Sequence, residues 1–102
     1  MKLKEVFALT MRKNEIAYRN AQIHTELNEL EIGNLFGIYH KDKLLRAIEL
    51  GDELYDLTVE LREIFRKEGN KTAMIAEDRI LSRIEDALWL LKMDYELGCY
   101  LP

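Results

Sequence analysis

The stretch Asp42–Glu68, DKLLRAIELGDELYDLTVELREIFRKE, decides the fold. Ala47, Leu50, Leu54, Leu57, Leu61 and Ile64 recur at three- and four-residue steps, which places them on one side of an α-helix. Leu44, Ile48, Tyr55 and Val59 fall on an adjoining side. The apolar arc therefore covers more than half of the circumference, wider than a helix with one buried face requires. Working outward, the next breaks are Gly33 and Gly37 in IGNLFGIYHKDK on one side and Gly69-Asn70 in KEGNKT on the other, with Gly98 near the end. They divide the chain into three helices, about Lys4–Glu31, Asp42–Glu68 and Thr72–Leu97, each roughly 40 Å long at 1.5 Å per residue. Asp42 and Thr72 are the expected N-caps, and Gly69 is the expected C-terminal stop.

Composition agrees. Ala, Leu, Glu, Lys and Arg make up 52 of the 102 residues, against two Val and a single proline at Pro102, so a β-rich fold is disfavoured. At this length residues 1–102 form one domain. The fold class is all-α: an antiparallel bundle of three long helices, completed by a second chain in a homo-oligomer. That last step follows from the apolar faces. The first helix carries a heptad stripe of Leu9, Ile16, Ile23 and Leu30 with Leu27 beside it. The third carries Ile80, Leu81, Ile84, Leu88, Leu91 and Tyr95 on one face and Ile75, Trp89 and Met93 on another. Three helices cannot bury two such broad arcs among themselves, so a homodimer or homotetramer is expected. Asn20, near the first stripe, reads as a register-setting or boundary polar group.

The formal net charge of −4 argues against a nucleic acid polymer as partner, because that binding draws on clustered cations. Cys99 stands alone, so neither a disulfide framework nor a cysteine zinc site can be built, and a reducing, cytoplasmic setting is expected. No run of 18 apolar residues occurs, and no membrane partner is expected. His24 and His40 make no nucleophile constellation with Cys99.

Chemistry is concentrated in two acidic pairs flanking the glycine loop, Glu26-Leu-Asn-Glu29 and Glu49-Leu-Gly-Asp52. An i, i+3 spacing puts both carboxylates of a pair on one helix side, and a hairpin would bring all four to similar heights. Four carboxylates repel one another unless something positive sits among them, and hard divalent ions prefer oxygen ligands, so Mg²⁺ or Mn²⁺ is the expected cofactor. Glu53/Asp56 and Glu60/Glu63 repeat the spacing without a helpful neighbour and read as solvated surface. Two details single out the first set. On a helical wheel Asp52 falls inside the apolar arc, between Val59 and Leu45, where an unpaired carboxylate is costly, and Glu26 flanks the Ile23/Leu30 stripe. Gly51 costs about 1 kcal/mol of helix stability relative to Ala and calls for a reason such as close helix approach. Glu77 falls between Met74 and Leu81 on the core stripe, either as a further acid of the cluster or as a first-turn acid favoured by the helix dipole.

With Glu26-x-x-Glu29, nineteen intervening residues and then Glu49-Leu-Gly-Asp52-Glu-Leu-Tyr-Asp-Leu, residues 16–65 resemble the all-α nucleoside triphosphate pyrophosphohydrolases of the MazG-like group. The resemblance implies that Glu26, Glu29, Glu49 and Asp52 hold Mg²⁺ and serve catalysis, and that a (d)NTP is split by water into a nucleoside monophosphate and pyrophosphate. The family's doubled first acid is here Thr25-Glu26, which implies either fewer metals or a binding-only relative. Phosphate chemistry of this kind needs cations nearby. Lys41, Lys43 and Arg46 flank the loop, and Arg79 and Arg83 share a face of the third helix. Phe36, Tyr39 and His40 are candidates to stack on or hydrogen-bond a base, or else plugs for the end of the bundle. The competing class is a non-enzymatic helical dimerisation or adaptor module, in which the acids are solvated and the apolar arcs carry the function.

Overall fold

The computed structural model describes residues 1–31 and 40–102. Among them are three helices, α1 (Leu3–Glu29), α2 (Lys41–Lys67) and α3 (Lys71–Glu96), and no sheet. The all-α expectation holds, and the helix bounds agree with the sequence reading to within two residues. The caps differ. His40 and Asn70, not Asp42 and Thr72, are the N-cap residues. The Asn70 side chain accepts from the Ala73 N–H at 3.1 Å, the third helical position, so Thr72 already lies inside the first turn. Asp42 likewise sits in the first turn of α2, where a carboxylate complements the helix dipole without capping.

Gly69 does stop α2. Its φ is +72°; its N–H donates to the Arg66 carbonyl, and the Asn70 N–H donates to that of Phe65, a pair of bonds that closes the helix end around a left-handed residue. Gly98 ends α3 in the same way, with φ +71° and bonds from Gly98 to Tyr95 and from Cys99 to Asp94. At the end of α1 the left-handed position is taken by Glu31, φ 57°, and no glycine stands there. The expected breakers Gly33 and Gly37 lie outside the described residues.

The helices are joined through α2, which packs against both α1 and α3. Ile16 and Ile23 of α1 are fully buried, and Ile23 forms the core cluster with Leu50 and Leu54 of α2, closed by Leu27, Leu30, Leu57 and Ile84. The α1 heptad stripe thus reads as written in the sequence. On α3, by contrast, Leu88 is the one buried residue. It packs against Gly51, where a Cβ would lie 2.6 Å from Leu88 Cδ2; the helix-weakening glycine of α2 is the close approach of α3. The molecule measures 54 × 21 × 20 Å, with a radius of gyration of 16.1 Å against about 13 Å for a compact chain of this length.

Candidate functional site

The seam between α1 and α2 organises most of the charge. Arg12 forks onto Glu60 (Nη2 to Oε1, 2.9 Å), Arg19 onto Glu53 (2.8 Å) and Arg46 onto Glu26 (3.0 Å), each through two nitrogens. Positions 12, 19 and 26 step by seven residues along α1, and 60, 53 and 46 step back by seven along α2, so the three pairs form one ladder beside the apolar seam. Lys13 adds a fourth pair with Glu68, at 2.9 Å. Each ladder carboxyl is held below its ordinary value by the guanidinium that donates to it: Glu26 by Arg46, Glu53 by Arg19 and Glu60 by Arg12. Glu53 and Glu60, expected to have no helpful neighbour, have one after all, and it comes from the other helix.

The four candidate metal ligands divide between two places. Glu26 and Glu49 meet across the hairpin, but on the Arg46 guanidinium, with Arg46 Nη1 donating to Glu49 at 3.1 Å. Glu29 is exposed and lies with Tyr18, Thr25 and Glu26 along a shallow depression of α1. Asp52 points the other way, towards α3, where Lys92 Nζ donates to it at 3.1 Å. It is also exposed, not inside the apolar arc as the wheel placed it, because α3 covers α2 at Leu88 and Gly51 and leaves Asp52 at the rim. Among the described residues no three acidic, histidine or cysteine side chains gather in a geometry that could hold a metal ion. The positive partner that Glu26, Glu49 and Asp52 require is supplied by the chain's own Arg46 and Lys92. In this arrangement the donor set does not fit a divalent-ion centre.

The candidate phosphate-binding cations are dispersed in the same way. Arg46 is committed to the ladder. Lys41 Nζ lies 5.6 Å from the ring centre of Tyr100 and 6.0 Å from that of Tyr95, two rings stacked at 5.8 Å, while its N–H donates to the Leu101 carbonyl; it holds the last residues against the start of α2. Lys43 and Arg79 are exposed. Arg83 is exposed too, but it belongs to a different feature. Phe36 and Tyr39 lie outside the described residues.

That feature is a groove between α1 and α3, floored by α2. Its wider part, about 410 Å³, is lined by Asn20 and His24 of α1, Leu54 and Thr58 of α2, and Glu77 and Arg83 of α3, among others. It runs on past His24 and Leu54 towards Gly51 and Leu91. Thr58 is buried and satisfies its hydroxyl on the Leu54 carbonyl at 2.7 Å. Asn20 is not satisfied: its Oδ1 is buried without a hydrogen-bond partner. Glu77 is half-buried, and desolvation pushes its carboxyl above the ordinary value. Sequence reading placed Asn20 beside the stripe and Glu77 on the core stripe but did not join them into one surface. The signal available was that Asn20 and His24 on one helix, and Glu77, Ile80, Ile84 and Ala87 on another, keep helical spacing with mixed polarity.

No helix among the described residues is long and apolar enough to cross a membrane. Compared with family models, with curated proteins and with solved structures, the chain matches none.

Proposed function

We propose that this chain is a helical self-association module, a non-enzymatic scaffold that works as a homodimer or higher homo-oligomer in a reducing, cytoplasmic setting. The observation that carries the reading is the state of α3. Of its 26 residues only Leu88 is buried, while Ile75, Ile80, Trp89 and Leu90 are between 40% and 62% exposed. Leaving so much apolar surface in water forfeits the main driving force of folding, about 25 cal/mol per Å², and association recovers it. Light scattering over a dilution series tests this: a mass at least twice the 12.1 kDa of the chain is expected, and a 12.1 kDa species at every concentration overturns the reading.

A second reading, a Mg²⁺-dependent nucleoside triphosphate pyrophosphohydrolase, is supported by the spacing of Glu26, Glu29, Glu49 and Asp52 and by the meeting of Glu26 and Glu49 across the hairpin. It requires the ion to displace Arg46 and Lys92 from those carboxylates. Thermal unfolding with millimolar Mg²⁺ or Mn²⁺ and a non-hydrolysable nucleotide separates the two. A ligand at 100 times its dissociation constant adds about 2.7 kcal/mol to a native state that binds it. A stabilisation of that size, with pyrophosphate release that Asp52→Asn abolishes, would establish the enzyme; the scaffold reading expects neither.

A further inference from the structure

The groove between α1 and α3 is finished on its floor and unfinished at its mouth. Below lie Leu54 and Thr58, at 8% and 2% exposure; at the mouth Ile80 is 40% exposed and Ala87 is open to solvent. Asn20 Oδ1 has been withdrawn from water and given no donor. Glu77, on the opposite wall of the same groove, is half-buried, with no cation paired to it among the described residues. A polar acceptor buried without a partner is costly, and native proteins leave few of them. The area points in the same direction. A compact monomer of 12.1 kDa exposes about 6,000 Å², whereas this chain exposes 7,265 Å². The excess over the whole chain, about 1,200 Å², is of the size of one partner's share of an obligate dimer interface.

We infer that this groove is the surface a second copy of the chain covers, the two grooves facing each other, with donors of one copy completing the acceptors of the other. The inference rests on the self-association reading and names its interface. The chemistry is self-complementary in kind. Arg83 and His24 offer donors from the walls, Asn20 and Glu77 offer acceptors, and Asn20 also carries its own amide donors. An identical copy therefore supplies what the groove lacks. The other exposed apolar side chains, Phe7, Met11 and Tyr18 on the outer side of α1 and Ile75, Trp89 and Leu90 of α3 outside the groove lining, carry no buried polar atom that waits for a partner.

The test uses the full chain with Ala87→Glu and Ile80→Glu in the groove and Phe7→Glu on the outer stripe as control. All three sites are exposed in the single chain, and helical circular dichroism checks that each variant folds. Each groove variant should raise the dimer dissociation constant by at least about tenfold, since an unpaired carboxylate would be buried in the interface, while Phe7→Glu leaves it unchanged. As a second readout, Ala87→Cys in a Cys99→Ser background should react with maleimide at least about tenfold more slowly when concentrated than when diluted to monomer, because only the dimer covers the introduced thiol. A dimer that survives both groove variants and is dissociated by Phe7→Glu, or an Ala87→Cys variant that reacts equally fast at both concentrations, overturns the interface but leaves self-association standing. A chain that is monomeric throughout overturns both.

Discussion

Gly51 shows how a single residue sets the packing of an element. In mid-helix, glycine costs about 1 kcal/mol relative to alanine, yet a methyl group there would stand 2.6 Å from Leu88 Cδ2, inside any tolerable contact. Leu88 cannot step aside cheaply, because it is the buried anchor of α3. Overpacking a filled site costs roughly 1–3 kcal/mol, so Gly51→Ala should come out net destabilising by about 1 kcal/mol and lower the melting temperature by about 4–8 °C. The sign should invert in a Leu88→Ala background, where the space is free and only the helix propensity of alanine remains. Thermal unfolding of the four proteins of this double-mutant cycle measures the coupling directly. If Gly51→Ala stabilises the otherwise unaltered chain, α3 does not approach α2 as described.

At the scale of elements, the ladder along α1 and α2 explains why the hairpin takes its register. Read from its N-terminal end, α1 offers plus, plus, minus at positions 12, 19 and 26, and α2 offers plus, minus, minus at 46, 53 and 60. Run antiparallel, every rung is an opposite-charge pair; run parallel, Arg12 would face Arg46 and Glu26 would face Glu60. Arg19→Glu should therefore lower the melting temperature by several degrees, and the added Glu53→Arg should restore most of the loss. The effect should shrink in high salt, because these side chains remain 35–41% exposed and are screened. It should shrink in acid too. A carboxyl whose folded value lies below the ordinary 4.5 contributes stability in full above that pH, and the contribution is lost as pH falls through the depressed value. Unfolding at pH 7 in low and high salt, and again at pH 3, measures both effects.

The same ladder shows what the sequence could and could not disclose. Helix number, bounds, the Leu9–Leu30 stripe, the Gly69 stop and the reason for Gly51 were all legible, because each depends on local spacing or on one residue's steric need. The partner of Glu26 was not, because an acidic pair within one helix says nothing about which cation the next helix brings to it. The heptad recurrence of charge at 12, 19 and 26 and at 46, 53 and 60 was present in the sequence, and it is the pattern that discloses the Arg46–Glu26 rung. Asp52 was misplaced on the wheel for a related reason. An arc read from one helix is an average over neighbours, whereas burial on α2 is decided by where α3 sits, and α3 sits at Gly51.

For the whole molecule, the decisive balance is between a thin core and an extended surface. Eight hydrophobic residues among those described are buried, and the radius of gyration exceeds that of a compact chain by about 3 Å. A domain of this length that buries so little is marginal by itself, since burial must offset roughly 1–2 kcal/mol of backbone entropy per residue. On the self-association reading proposed above, a second copy supplies the missing burial, and folding and assembly become one equilibrium. The melting temperature should then rise with protein concentration, whereas that of a self-sufficient monomer is independent of it. Scanning calorimetry over a hundredfold range of concentration at pH 7 should show the transition moving upward by several degrees. The groove variants Ala87→Glu and Ile80→Glu should melt near the dilute limit of the unaltered chain at every concentration, because they remove the partner's contribution and leave the α1–α2 ladder and the Gly51–Leu88 contact in place. A transition that stays fixed across that range would mean that three helices and the eight buried apolar side chains among the described residues suffice without a partner.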